Sequence, residues 1–351
     1  LYNINEVKIK IKIKLKNKNM SFYGKIYPAA WQTIKKNYYL LFFGLFASVL
    51  GFFSETNTFL NLNNTEPDFI SANLIHWSRI MDAIINSGST LGSFSGLLGI
   101  VSIFIIMAIV VVITVSSQGA LIHSAYHNNL KGKKNNTSKG LFFKENFQVG
   151  LEKFWPLLGL GLIHSFITFF FIIFVIDPLI YFVTMLDLGP LFILLLSIII
   201  FFVLVPMVVV ISFVTRYGAA YIVLKNQKLI DAFLNAWLLF KINWLVTIEN
   251  ALVMIFITIV YSLILSGVMA LAFVPVIIVS LLLSTTNPVL FFIISTVGSF
   301  LGVLLLFLGI ALYGAFYNIV WTNVFLHLVA PGKSQSKIHR LAQKHLPHLA
   351  K

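Results

Sequence analysis

Five long runs without a formal charge constrain this chain more than any other feature: Leu97–Val115, Trp155–Ile176, Leu191–Val214, Ala251–Leu283 and Val289–Leu312. Each comes to about 20 residues or more, the length needed to cross ~30 Å of hydrocarbon at about 1.5 Å per residue. A helix on the surface of a soluble domain carries polar side chains along one face, and these runs do not. Charged residues make up 10% of the 351-residue chain, against roughly 25% in a soluble domain. The expected class is an all-α integral membrane protein. A shorter apolar stretch, Tyr38–Phe53, follows a basic segment without a small-residue cleavage site, so it reads as an uncleaved first span.

The net charge of +14 raises nucleic acid as a partner, but the placement of the charges points to membrane topology instead. Lys and Arg concentrate before the first span, in His127–Lys153, in Arg216–Lys241 and from Lys333 onward. These alternate flanks hold 24 of the 25 basic residues, and Arg79 is the exception. The intervening Ser54–Gly96 carries Glu55, Glu66, Asp68 and Asp82. Positive charge collects on the cytoplasmic side of membrane proteins. Six spans with both termini cytoplasmic satisfy that rule. For the fifth span we expect ~Trp244–Ser266, with Gly267 and Pro275 breaking the helix. The remaining apolar segment, 267–284, is then re-entrant, interfacial or an extra span.

Two markers recur in register, the signature of an internal repeat. "QGALIHSAY", "YGAAYIVLK" and "YGAFYNIVW" each close an even-numbered span with a Gly-Ala pair, at Gly119, Gly218 and Gly314. Before the odd spans, "AWQTIKKNYYLL" and "AWLLFKINWLV" share Ala-Trp and a Lys-x-Asn-aromatic step, with "GLEKFWPLL" as a looser copy. The unit is an amphipathic cytoplasmic helix, a span, an outer connection and a longer span ending in Gly-Ala. Three units cover roughly 20–130, 131–228 and 229–331. Gly119, Gly218 and Gly314 are read as helix-packing positions, because small residues let backbones approach where lipid supplies no hydrophobic drive. Trp31, Trp155, Trp237 and Trp244 are read as interfacial aromatics. Residues 1–19 form a basic extension, read either as an arm on anionic lipid or as sequence ahead of a start at Met20. Residues 332–351 form a basic cytoplasmic tail.

The segment from Arg216 to Trp244 resembles the membrane domain of bacterial glycerophosphoryl diester phosphodiesterases and the YciC-type inner-membrane proteins. Ala219, Ala220, Val223, Leu224, Ala232, Ala236, Lys241 and Trp244 occupy the places of that pattern, and Lys225 stands where the family carries Glu. The resemblance implies a bacterial cytoplasmic membrane protein, the membrane part alone, without the soluble catalytic barrel and its metal ligands.

Candidate chemistry is sparse. The chain has no cysteine, which excludes disulfides and thiolate chemistry. No phosphate-binding loop, HExxH or Ser-nucleophile motif occurs, and the expectation is no enzyme, no cofactor and no metal. Ionisable groups at membrane depth are functional candidates by default. Arg216 and Glu249 lie at similar depth and are expected to form a structural ion pair. Asp177 and His164 are the remaining candidates, each with a plain structural alternative: a helix-end Asp and a hydrogen-bonded His. The expected function is non-enzymatic, organising lipid or partner proteins in the envelope, with membrane lipids and an unidentified membrane or cytoplasmic protein as partners. The alternative is a transporter or a transporter's membrane subunit.

Overall fold

The computed structural model describes residues 22–48, 94–130, 139–171 and 190–330, with isolated positions between 172 and 189. All the regular structure described is helical. In chain order the helices are α1 (Phe22–Lys36), α2 (40–48), α3 (Phe94–Leu130), α4 (Lys139–Glu152), α5 (Phe154–Phe171), α6 (Pro190–Lys225), α7 (Leu229–Thr286) and α8 (Pro288–Val329). Five of them contain stretches long and apolar enough to cross a membrane: Val101–His127, Phe154–Phe171, Pro206–Lys225, Leu229–Ser284 and Pro288–Val329. The expected first span is described only as far as residue 48. The basic extension 1–19, Asp177 and the tail 332–351 lie outside the described residues.

Three amphipathic stretches each lead, through a short irregularity, into an apolar helix. In α1 the residues Ile26, Ala30 and Ile34, four apart, are buried, while Trp31, Lys35 and Lys36 face out. That spacing places the apolar side chains on one helical face. Residues 37–39 then form a turn before α2, tied by the Asn37 side chain to the Thr33 carbonyl at 3.0 Å. In α4, Asn146 and Gly150 face inward, and the turn at Lys153 leads into α5. The opening of α7 buries Ala232, Ala236, Leu239 and Phe240. Its irregularity falls at Asn243, whose φ of −120° and ψ of 24° depart from helix. There Asn243 Nδ2 donates to Leu239 O at 3.1 Å, and Thr247 Oγ1 donates to Asn243 O at 3.0 Å. Side chains thus take up backbone carbonyls at the kink.

Past Asn243 the helix runs without interruption to Thr286, which corrects the break expected at Gly267 and Pro275. Residues 267–284 continue the helix rather than turning back or lying flat. Gly267 has no neighbour that would constrain it, and Pro275 is accommodated inside the helix. The chain reverses instead at Asn287, where Oδ1 accepts from Leu290 N at 3.2 Å and Pro288 opens α8. Proline suits the first helical turn because the N–H it lacks would have no partner there. α7 and α8 then run antiparallel along their length. Val276 sits against Gly298, Phe273 against Gly302 and Leu265 against Gly309, each filling the space a Cβ would take. Ser295 Oγ donates to Ser280 Oγ at 3.1 Å, and Tyr261 OH donates to Gly309 O at 2.7 Å.

The core lies at one end of these long helices. In α3 every residue from 101 to 110 is exposed, whereas 114–117 and 119–122 are buried. In α6 the described side chains from 191 to 206 are exposed, and 212–214 and 217–223 are buried. In α8 the buried run is 319–325. The helices have 37, 36 and 42 residues, so each is about 54–63 Å long, roughly twice a hydrocarbon core. The packed ends meet α1, α2, α4, α5 and the first half of α7. One cluster centres on Phe213, Tyr217, Ile222, Trp321 and Phe325, and the other on Ala30, Leu40, Phe43, Leu121 and Ile319. Phe43 stacks against both Phe143 and Phe147, with ring centroids 4.8 and 6.0 Å away and nearly parallel planes.

Candidate functional site

At the packed end, small residues bring backbones together. A Cβ on Gly119 would fall 3.0 Å from both Gly150 Cα and Leu157 Cδ1, and one on Gly218 would fall 3.1 Å from Leu160 Cδ2. One on Gly314 would collide with Ser48 Oγ and the Gly44 carbonyl. Gly44 faces Ala311 O and Ala315 in turn. Ser48 Oγ donates to Gly44 O at 2.7 Å and approaches Ile310 O at 3.3 Å, so one hydroxyl ties α2 to α8. Gly44 and Gly150 carry no Gly-Ala signature. They become visible only as the opposite walls of the contacts made by Gly314 and Gly119.

The polar groups gather in the same layer. Arg216, on α6, lays its guanidinium over two rings of α8, 4.5 Å from the Tyr317 centroid and 4.9 Å from that of Trp321. These rings stand four residues apart on one face of α8, continuing Tyr313 below and Phe325 above. Tyr217 is fully buried, and its hydroxyl meets Thr247 Oγ1 on α7 at 2.9 Å. About three turns further along α7, the Tyr313 hydroxyl meets Thr258 Oγ1, and the Tyr313 ring stacks on Tyr261 at 5.3 Å.

Glu249 has a different environment from Arg216. Tyr23, on α1, faces the Glu249 carboxylate, and burial first, then the charge of Glu249, push the Tyr23 phenol above its usual range. Tyr27, one turn further along α1, donates to Asn250 Oδ1 at 2.9 Å. Its ring lies 6.2 Å from that of Tyr23 and 6.3 Å from that of Phe316. Asn250 is fully buried. The Glu249 carboxylate has the Tyr23 phenol beside it as a hydrogen-bond donor, and Asn250 Nδ2 is buried with no hydrogen-bond partner among the described residues. The neighbours of Arg216 thus include the aromatic faces of Tyr317 and Trp321, and those of Glu249 include Tyr23 of the amphipathic α1.

His164 bonds through Nδ1 to Thr215 Oγ1 at 3.2 Å, and its carbonyl accepts from Thr168. His123 Nδ1 contacts Asn146 Oδ1 at 2.8 Å, and Asn146 Nδ2 donates to the Tyr39 hydroxyl at 3.1 Å. The four tryptophans expected at the interface are all exposed, from 40% at Trp31 to 77% at Trp155, with Trp237 and Trp244 between. Lys35 sits 5.4 Å over the Trp31 ring. Among the described residues no group of three or more His, Cys, Asp or Glu is arranged to hold a metal ion.

Five apolar helices joined to a packed polar layer define the class: a multi-pass helical membrane protein. Compared with family models, curated proteins and solved structures, the chain matches none of them.

Proposed function

We propose that this is a non-enzymatic protein of the bacterial cytoplasmic membrane that organises lipid or partner proteins. It would have six spans in three two-span units and both termini in the cytoplasm. One observation carries the reading. The opening of α7 buries a face of Ala232, Ala236, Leu239 and Phe240, yet its outward face presents Ile230, Leu234, Trp237 and Leu238 alongside Asp231 and Lys241. A short helix that packs one face on the bundle and offers a second apolar face outward suits the headgroup region. The exposed Trp31 lies in the amphipathic α1, and the exposed Trp155 and Trp244 stand just past the irregularities at Lys153 and Asn243; all three suit the same depth. The three helix–irregularity–span joints, at 37–39, Lys153 and Asn243, support the three-unit reading. The resemblance to the membrane domain of glycerophosphoryl diester phosphodiesterases supports the bacterial assignment.

A transporter is the second reading. The buried carboxylate of Glu249 favours it, because a charge at membrane depth usually serves a pathway. Flux assays in proteoliposomes separate the two: a scaffold changes lipid retention and order without solute uptake. Topology has its own test, simplified by the absence of native cysteine. Cys at Asn61 should react with an impermeant thiol reagent in intact cells, while Cys at Asn135 or Gln335 should not. Labelling at Gln335 would overturn the six-span topology.

A further inference from the structure

The two close copies of the marker that precedes the odd spans fold alike, and the loose copy does not. Ala30, Trp31, Lys35 and Asn37 have the same spacing as Ala236, Trp237, Lys241 and Asn243. In both copies the Ala is fully buried and the Trp is exposed, to 40% at Trp31 and 42% at Trp237. The Lys four residues on shares the helical face of the Trp and is exposed too. Lys35 stands 5.4 Å over the Trp31 ring. The Asn then donates to the carbonyl four residues back, at 3.0 Å for Asn37 and 3.1 Å for Asn243, where each amphipathic stretch gives way to its irregularity. Packing accounts for the Ala and the irregularity for the Asn. Neither asks for a ring and an ammonium on the outward face. At the middle joint Lys153 precedes Trp155, and its Nζ donates to Asn226 Oδ1 instead.

Charge separates the joints in the same way. α1 carries Lys25, Lys35 and Lys36 and no acid, and residues 225–244 carry Lys225, Lys228 and Lys241 against Asp231. Glu249, which meets α1 at Tyr23, stands about three turns along α1 from Lys35. Between 144 and 155, Glu145 and Glu152 offset Lys144 and Lys153. An indole suits the headgroup region, and a surplus of lysines beside it attracts anionic lipid. We propose that the Trp–Lys faces of α1 and of the opening of α7 are two equivalent binding surfaces for anionic phospholipid, with the lysines on the phosphate and the indole at the glycerol level. The middle joint has no such preference. The proposal rests on the lipid-organising reading and names the lipid class it would gather, at two of the three joints rather than evenly around the protein.

The test reconstitutes the full chain in bilayers of equal parts phosphatidylglycerol and phosphatidylethanolamine. A single Cys at Gln32, Leu238 or Leu151, all exposed positions, carries the fluorophore NBD. Quenching is compared between the two lipids, each bearing a nitroxide near the head of its acyl chain. At Gln32 and Leu238 the expected result is a local enrichment of phosphatidylglycerol of about fivefold or more, the scale of one lysine at an anionic surface. At Leu151 the two lipids should quench equally. Lys35→Gln with Lys36→Gln should abolish the preference at Gln32 and leave that at Leu238, and Lys228→Gln with Lys241→Gln should do the reverse. The matching Arg replacements should keep the preference, and about 1 M salt should remove most of it. Equal quenching by both lipids at Gln32 and Leu238, the same preference at Leu151, or a preference that survives the Gln variants would overturn these surfaces while leaving lipid organisation standing. Negligible quenching by either lipid at all three positions would overturn both.

Discussion

The two ends of α3 are built from different residues and behave differently. From 101 to 110 the helix reads VSIFIIMAIV and every residue is exposed; from 114 to 122 it reads TVSSQGALI and all but Gln118 are buried. The more apolar end is the unpacked one. α6 and α8 repeat the contrast, with Leu, Ile and Phe on their exposed stretches and Gly, Ala, Tyr, Thr and Asn among the buried ones. In water this would be inverted, since burial there follows hydrophobicity. In lipid, apolar side chains gain nothing by leaving the acyl chains, and helices associate through close packing and hydrogen bonds. The comparison gives the two layers separate roles. The apolar stretches of about 20 residues meet lipid, and the small and polar residues hold the bundle.

Breaking the packed layer should have the largest effect. Gly314→Leu places a side chain where Ser48 and the Gly44 carbonyl already stand, so neither backbone can yield without parting α2 from α8. We expect a loss of about 3 kcal/mol or more, measured by thermal unfolding in detergent. Arg216→Met keeps much of the length but loses the cation over Tyr317 and Trp321, at about 1–2 kcal/mol. Arg216→Ala should cost more, because packing of the stem is lost as well. Tyr217→Phe removes the bond to Thr247 at about 1 kcal/mol. In the exposed layer the expectations shrink. Gly267→Ala adds a methyl into open space and should stabilise by less than about 1 kcal/mol. Ile105→Ala should change stability by less than about 0.5 kcal/mol. A large loss there would show that the exposed layer packs against protein after all.

Membrane class was legible in the sequence because it rests on composition and run length, which need no knowledge of contacts. Gly119, Gly218 and Gly314 were legible as small positions in register, but not what they touch. Gly150, Leu160 and Gly44 come from distant segments, and nothing local marks them. Sequence reading placed the helix break at Gly267 and Pro275, the usual breakers in water. Inside lipid an unmade backbone bond has no water to replace it, so a helix is strongly favoured to continue. The irregularity falls instead at Asn243, where an amide side chain can bond a carbonyl. The depth of the Arg216 charge was legible, but not the rings it lies on. A guanidinium lies well on aromatic rings, and the sequence trace of that contact is the four-residue spacing of Tyr317 and Trp321. The surroundings of Glu249 and Asn250 were half legible: the carboxylate was marked by its depth, whereas Tyr23 and Tyr27 lie more than 200 residues earlier.

The most direct test of the two-layer account is a spin-label depth scan along α3 and into the segment that follows it, in the full chain reconstituted in a bilayer. Labels go singly at Ile105, Ser117 and Asn135 in a protein with no native cysteine. The account predicts high collision with oxygen and little with a water-soluble nickel reagent at Ile105. At Ser117 it predicts protection from both, and at Asn135 collision with the nickel reagent. Strong nickel collision at Ile105, or an oxygen profile at Ser117 equal to that at Ile105, would contradict it.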